Sequence, residues 1–239
     1  MTLTVPCLFG LESLVADEMR RLDLKNVRAE NGRVHCEGTL ADIARLNINL
    51  RCGARVLMEL GSFPARDFEA LFQGVYALPW EDYIPRDGEF PVKGYSLNSQ
   101  LHSVPACQSI VKKASAKRLG EKYGVETLPE SGSRYQIQFS IIKDVATLYL
   151  DTSGEGLYKR GYRAKNMGAP LRETLAAALV TLSRYRGKDP FCDPFCGSGT
   201  IPIEAALIAK NRAPGLDRSF AAQKWKNMDS KLWLEAGDE

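Results

Sequence analysis

The run Asp193-Pro194-Phe195-Cys196-Gly197-Ser198-Gly199-Thr200 decides how the second half of this chain is interpreted. The residues before it, Asp189-Pro190-Phe191-Cys192, predict a short strand, and the apolar residues from Ile201 to Ile208 predict a helix. Glycine adopts positive φ readily and leaves room for a ligand beside the backbone. A strand, a glycine loop and a helix in this order predict a site for a nucleotide-type cofactor.

Loops of the Gly-x-Gly type occur in dinucleotide, ATP and S-adenosylmethionine sites, so the flanking residues must discriminate. A phosphate-binding loop needs a lysine after its last glycine, where this chain has Thr200, and Pro202 replaces the third glycine of a dinucleotide fingerprint. Asp193 suits the cationic amino group of a methionine moiety, and the N–H groups of a helix start suit its carboxylate. A tight strand-to-helix turn without a ligand is the alternative.

Two further stretches give this chain a family resemblance. The glycine loop followed by Ile201-Pro202-Ile203-Glu204-Ala205-Ala206 resembles the first motif of S-adenosylmethionine-dependent nucleic-acid amino-methyltransferases. Upstream, Leu157 to Arg163 and Ala169 to Ala178 resemble the linker and lead-in helix of THUMP-domain RNA methyltransferases. The sequence is therefore similar to the large-subunit rRNA guanine-N2 methyltransferase group, whose members have also been labelled N6-adenine-specific DNA methylases.

The resemblance implies methyl transfer from S-adenosylmethionine to an exocyclic base amine, guanine N2 of large-subunit rRNA, with rRNA or its assembly intermediates as partner. It places cofactor contacts in the glycine loop, in the helix after it and at the start of the lead-in helix. The implied cofactor residues are Asp193, Pro194, Phe195, Cys196, Gly197, Ser198, Gly199, Thr200, Glu204, Pro170, Leu171, Arg172 and Glu173. For Glu204 the alternative is an exposed helix carboxylate. For Glu173 the alternative is that its negative charge simply stabilises the N-terminus of the lead-in helix.

Two basic clusters are candidates for RNA contact, since the net charge of +3 is too small to act through its total. The first is the outward face of a predicted helix, and the second is interleaved with Tyr158 and Tyr162, a combination suited to phosphates and unpaired bases. The first cluster consists of Lys112, Lys113, Lys117 and Lys122, and the second of Lys159, Arg160, Arg163 and Lys165. A solvated helix face is the alternative for the first cluster. For the second, Arg160 and Arg163 could pair with carboxylates that fix an interdomain angle.

The order of helix and strand patterns predicts the domain organisation. Helical patterns begin near Leu11 and after Thr39, with strands at Thr2–Cys7, Val27–Cys36 and Arg55–Leu60, which predicts an α+β ferredoxin-like arrangement. We expect a ferredoxin-like subdomain at 1–60, a THUMP domain at 61–155, a linker and lead-in helix at 156–186, and the start of an α/β Rossmann-like class I methyltransferase domain at 187–239. Leu171, Leu175, Ala178, Leu179 and Leu182 are the predicted buried face of the lead-in helix. In the THUMP region, Gly124 is predicted to end the basic helix, and Lys143-Asp144 is predicted to form the turn of a hairpin.

Composition restricts the function classes further. The chain has 239 residues, 44% of them hydrophobic, and shows neither a membrane span nor a signal peptide pattern, so we expect a soluble cytoplasmic protein. Its six cysteines are scattered, which argues against a zinc site or a disulfide scaffold, and no metal is expected.

The residues after the glycine loop contain neither an acidic strand end for the cofactor ribose nor an Asn-Pro-Pro-Tyr loop. By resemblance these would bind the ribose and hold the base amine, so the catalytic domain is expected to be incomplete and no catalytic residue is assigned. We therefore expect the 239-residue chain not to complete methyl transfer alone. Two alternatives stay open: a stand-alone RNA-binding THUMP protein without catalysis, and an N6-adenine DNA methyltransferase.

Overall fold

A computed structural model describes residues 1–163 and 171–238. These residues form two compact units, and each unit is built from stretches that are separate in the sequence. The first unit combines Met1–Val56 with the described part of Glu155–Phe220 and the residues from Asp229 onward, and the second combines Leu57–Gly154 with Ala221–Met228. The chain therefore passes from one unit to the other four times.

The amino-terminal part of the first unit is a small α+β layer. Its elements are β1 (Thr2–Pro6), α1 (Glu12–Arg21), β2 (Lys25–Glu30), β3 (Arg33–Glu37) and α2 (Leu40–Asn49). The strands lie in the antiparallel order β2-β3-β1. The run Val27–Cys36, predicted as one strand-like piece, is part of a hairpin, because Gly32 adopts a φ of +74° and reverses the chain. Thr39 begins α2 as predicted, in a capping box with Asp42.

The remainder of the first unit is helical. It contains α5 (Glu173–Leu182), α6 (Thr200–Ala209) and α7 (Ser230–Asp238), with α5 packed against α6 and α7 against α2. The predicted buried face of α5 is wrong in part, since Leu179 and Leu182 are 43% and 57% exposed. Ala176, Ala177 and Ala178 are buried instead, because short side chains allow close helix packing.

The strand predicted at Asp189–Cys192 is not formed in the part of the chain that the structure describes. A strand is stable only when neighbouring strands satisfy its backbone N–H and C=O groups. No described strand lies beside this run, which is largely exposed. The local pattern was therefore suitable for a strand, but the partner it requires is not among the described residues.

The second unit is a four-stranded sheet with two helices. Its elements are β4 (Leu57–Pro64), α3 (Phe68–Ala77), β5 (Val92–Leu97), α4 (Val104–Tyr123), β6 (Ile137–Ile142) and β7 (Val145–Asp151). The strand order is β4-β7-β6-β5, with β5 parallel to β6 and the other pairs antiparallel. The hairpin between β6 and β7 turns at Lys143 and Asp144, which have φ values of +50° and +63°, as the predicted turn requires. Gly124 ends α4 at φ +63°, also as predicted.

A short returning segment completes the second unit. Trp225 stacks on Tyr135 with ring centroids 5.0 Å apart, and its indole N–H donates to the carbonyl of Arg134. The Lys226 N–H donates to the Tyr135 hydroxyl oxygen. Residues 221–228 are thus an integral part of this unit. In residues 1–163 and 171–238, no helix has the combined length and apolar character that a bilayer crossing requires.

Candidate cofactor and RNA sites

The glycine loop lies at the start of α6. Gly197 and Gly199 have φ values of +53° and +77°, a conformation that other L-residues adopt only with strain. A Cβ added at Gly197 would meet nothing within 4 Å, and at Gly199 only the side chain of Ile203 at 3.8 Å. Backbone conformation, not crowding, therefore requires glycine here, and the space beside the loop is open to a ligand.

The polar groups of the loop suit a zwitterionic ligand. One Asp193 carboxylate oxygen accepts the Phe195 N–H at 3.1 Å, and the Gly199 N–H donates to the carbonyl of Cys196 at 2.8 Å. Among the described side chains, none caps the start of α6. The first-turn N–H groups of this helix are therefore available to an anion. Phe195 is 93% exposed, and Cys192 and Cys196, here called the loop cysteines, are also exposed.

Arg163 connects the glycine loop to the start of α5. Its Nη2 donates to Thr200 Oγ1 and to the carbonyl of Leu171, both at 2.8 Å, and its Nη1 donates to Ser198 Oγ at 3.3 Å. Its Nε forms an ion pair with Glu173, whose side chain is only 5% exposed. Arg163, Leu171, Glu173, Ser198 and Thr200 are called the Arg163 cluster below. Through it, residues implied as cofactor contacts from two separate stretches are brought together.

Glu204 is the centre of a second buried cluster. Its Oε1 accepts from Tyr162 Oη at 2.9 Å and from Arg160 Nε at 3.4 Å, while Oε2 has no partner in the described chain. Burial, and then the negative charge of Glu204, raises the pKa of Tyr162, which therefore stays protonated and acts as a donor. Arg160 also donates to the carbonyls of Leu157 and Arg51, at 2.7 and 2.6 Å.

These two clusters correct part of the sequence interpretation. Glu204 is fully buried, so the exposed-carboxylate alternative is wrong. Arg160 is only 3% exposed and fully engaged, which does not fit the prediction that it contacts RNA. The pairing of Arg160 and Arg163 with carboxylates is confirmed, with Glu204 and Glu173 as partners in the first unit, and their effect on an interdomain angle stays a prediction.

The other residues near the linker are distributed as follows. Lys159 is exposed and pairs with Glu155 at 2.6 Å, and the guanidinium of Arg172 lies 5.3 Å from the ring centroid of Tyr158. A cleft of about 690 Å³ lies beside the Arg163 cluster and is also lined by Arg218. The predicted site residues Lys165 and Pro170 lie outside the described residues. Arg218, which is not among the predicted site residues, donates to the carbonyls of Glu155, Gly156 and Lys159. Nothing in its sequence context signals this role.

The lysines of α4 are not equivalent. Lys112 is half-buried and bonds to Glu130 at 2.7 Å and to the Phe90 carbonyl at 3.1 Å, so its charge is already compensated.

Of the other three, Lys122 lies 3.5 Å from Glu81 and Lys117 lies 4.0 Å from Glu121. Lys113 is exposed and has no ion pair within the described residues. The predicted basic face therefore carries less uncompensated positive charge than its sequence suggests, and Lys113 and Lys117 are its most available charges.

Comparison with known families agrees with this architecture. Residues 2–57 match the RlmL ferredoxin-like domain, residues 65–151 match the THUMP domain, and residues 160–236 match the UPF0020 family, described as an RMKL-like methyltransferase domain. The chain thus joins a ferredoxin-like domain and a THUMP domain to an RlmL/UPF0020-type methyltransferase segment.

Among individual relatives, YpsC of Bacillus subtilis (strain 168) is 45% identical over 237 residues, covering 98% of this chain and 61% of YpsC. The ribosomal RNA large subunit methyltransferase K/L of Psychromonas ingrahamii is 36% identical over 233 residues, covering 96% of this chain and 31% of that protein. The chain therefore spans about three fifths of YpsC and about a third of the K/L protein.

Two solved structures are similarly close. A "predicted N6-adenine-specific DNA methylase" from Listeria monocytogenes is 49% identical with a TM-score of 0.95, covering 99% of this chain and 62% of that chain. SMU.472, determined as a complex with SAH, is 44% identical with a TM-score of 0.93, covering 99% and 63%. The described fold is thus shared with structures of longer proteins, one of them in complex with SAH.

Proposed function

We propose that this chain provides the RNA-binding region and part of the cofactor site of an S-adenosylmethionine-dependent RNA methyltransferase that acts in the cytoplasm. The substrate group is an exocyclic base amine, guanine N2 of large-subunit rRNA. One observation carries the proposal: a glycine loop with an uncapped helix start, linked by Arg163 to Glu173, occurs in a chain that also has a THUMP domain. The names of the K/L relatives and the SAH complex of SMU.472 support it.

The residues of the loop fit the cofactor chemically. When bound, S-adenosylmethionine supplies an electrophilic methyl group on a sulfonium. The Asp193 carboxylate has one oxygen committed to the Phe195 N–H, which leaves the other for a cationic amino group. The first-turn N–H groups of α6 suit a carboxylate, because the helix dipole favours an anion there. Arg163 holds Thr200 and Ser198, so the loop is positioned before a ligand arrives.

The RNA-binding part of the proposal rests on the THUMP domain and on α4. Lys113 and Lys117 are exposed, and Lys117 lies 5.5 Å from the ring centroid of Tyr76, so a phosphate can approach without breaking a buried ion pair. The 239 residues contain no Asn-Pro-Pro-aromatic run to accept hydrogen bonds from a base amine. We therefore propose that this chain binds both ligands but does not complete the transfer.

Calorimetric titration with S-adenosylmethionine tests the cofactor site. Gly197→Val is expected to abolish binding, since the variant strains the loop and fills the open space beside it. Gly10→Val is the matched control, because Gly10 also has positive φ, +88°, and a Cβ added there would meet nothing within 4 Å, but it lies before α1. Equal loss of binding in both variants, or no loss in Gly197→Val, would contradict the proposed site.

Binding to an rRNA fragment and to DNA of the same sequence separates the alternatives. Tighter binding to RNA supports the proposal. Preference for DNA, together with cofactor binding, favours N6-adenine DNA methylation, which agrees with the name of the Listeria relative. RNA binding with no detectable affinity for S-adenosylmethionine favours a stand-alone RNA-binding THUMP protein.

A further inference from the structure

A second cleft in the first unit, of about 640 Å³, is lined by four arginines from three stretches of the chain. Arg21 ends α1, Arg51 follows α2, and Arg184 and Arg186 follow α5. Two asparagines, a threonine and a tyrosine supply further hydrogen-bonding groups to its wall. None of these arginines belongs to the glycine loop, to the Arg163 cluster or to α4. We call it the four-arginine cleft.

The charge of the four-arginine cleft is largely uncompensated. Across residues 1–163 and 171–238, no ion pair involves Arg21, Arg184 or Arg186, and all three are exposed. Glu18 is the one carboxylate in the described lining. Its Oε2 already accepts the N–H groups of Arg51 and Cys52, at 3.0 and 3.2 Å. Four guanidinium groups therefore surround this cleft against one carboxylate.

Arg51 adds a buried group that lacks a partner. Its Nη2 donates to the carbonyl of Arg212 at 2.9 Å, but its buried Nη1 has no acceptor in the described chain. A buried donor without an acceptor is costly, and the cost is greater for a charged group. Burial also lowers the pKa of Arg51, because it disfavours the charged form of the side chain. Arg51 therefore contributes to the cleft lining a positive charge that is partly buried and not fully hydrogen-bonded within the described chain.

We propose that the four-arginine cleft binds phosphodiester groups of RNA. Guanidinium groups bind phosphate oxygens in a bidentate manner, and several of them around one concave surface can follow a phosphate backbone. The RNA part of this inference rests on the proposed function. The cleft adds phosphate contacts in the first unit to those proposed for α4 in the second. Its arginines are far apart in the chain, so no local sequence pattern indicates this cleft.

The test measures the affinity of the full 239-residue chain for a fluorescent single-stranded rRNA fragment by anisotropy, over a series of salt concentrations. Arg21→Gln/Arg186→Gln removes two exposed guanidiniums and leaves Arg51 in place. If each contacts one phosphate, the slope of log K against log salt should fall by about 1.4, since a single strand contributes about 0.7 per phosphate. If the variant and the wild-type chain bind equally at 1 M salt, the affinity of the variant at 0.1 M should be roughly 25-fold lower, because a slope change of about 1.4 acts over one decade of salt.

Arg20→Gln/Lys188→Gln is the matched control. It also removes two charges, one on α1 and one after α5, but neither residue lines the cleft. Its RNA affinity and salt slope should be close to those of the wild-type chain. Unchanged affinity for S-adenosylmethionine and an unchanged melting temperature in both double variants exclude global damage.

Several outcomes overturn the inference. They are an unchanged slope in Arg21→Gln/Arg186→Gln, an equal loss in the control pair, and competition by polyglutamate as strong as by RNA. A cleft that binds inorganic phosphate in the wild-type chain but leaves the RNA slope unchanged in the variant would show a free-phosphate site and overturn RNA as the source. Failure of the proposed function looks different: the wild-type chain itself would then bind no RNA or no S-adenosylmethionine.

Discussion

Replacing Arg160 by methionine should be among the most damaging single changes in this chain. The side chains of Arg160 and Glu204 are 2% and 0% exposed, so the variant leaves a carboxylate in the protein interior without its cation. Removing one partner of a buried ion pair typically costs about 3–5 kcal/mol. The carbonyls of Leu157 and Arg51 also lose a donor. Against a total stability of about 5–15 kcal/mol for a typical domain, this is a large fraction.

Equilibrium unfolding in urea, followed by far-UV circular dichroism, measures the effect. Lys159→Met is the matched control, because it removes the neighbouring positive charge by the same substitution. Lys159 and Glu155 have side chains 51% and 68% exposed, so solvent screens their ion pair and the unfolding midpoint should move little.

A double-mutant cycle attributes the loss to the pair itself. In a Glu204→Gln background, Arg160→Met leaves no buried carboxylate without its cation, so adding it should cost clearly less than it does in the wild-type chain. The reasoning is refuted if Arg160→Met shifts the unfolding midpoint no more than Lys159→Met does. It is also refuted if the cost of Arg160→Met is the same in both backgrounds, since the carboxylate would then contribute nothing.

Three further predictions concern other parts of the chain. Hydrogen bonding to Arg118 lowers the pKa of Glu81 from 4.5 to about 2, so this contribution to stability is complete above pH 4.5 and is lost as the pH falls towards 2. Urea unfolding at each pH should therefore show a steeper acid loss in the wild-type chain than in Arg118→Met; parallel curves would contradict this. Gly94→Ala would place a Cβ 2.4 Å from the carbonyl oxygen of Phe139, and we expect a loss of about 1–3 kcal/mol by thermal unfolding, with an unchanged melting temperature as the contrary result. The loop cysteines should react with Ellman's reagent before the buried thiols, and S-adenosylmethionine should slow them if it binds at the glycine loop.

Local signals predicted much of this fold correctly. The Thr39 cap, the Gly124 stop and the Lys143-Asp144 turn are each determined by a few adjacent residues, and all three are confirmed. Helical and alternating patterns also gave most elements of the ferredoxin-like and THUMP regions, because each pattern reflects the geometry of one helix or strand.

Features that depend on distant partners were not predictable in the same way. Arg160 and Glu204 are 44 positions apart, and nothing in either stretch shows that they meet in the interior. Without that contact, the sequence leaves both RNA contact and pairing with a carboxylate open for Arg160, which lies between two tyrosines. The predicted strand at Asp189–Cys192 failed for a similar reason, since a strand depends on neighbours that the sequence pattern does not specify.

The segment Ala221–Met228 has a consequence for how the protein is made. It stacks Trp225 on Tyr135 and so completes the second unit, yet the ribosome adds it only after Gly154 and a further stretch that belongs to the first unit. Domains commonly fold as units during synthesis, the amino-terminal ones first. Here the four-stranded sheet of the second unit can form early. The ring of Tyr135 stays exposed to solvent until residues 221–228 have left the exit tunnel and Trp225 can stack on it. The first unit waits in turn for α7. Both units therefore become complete only when Ala221–Met228 and α7 have been synthesised, and they do not fold one after the other.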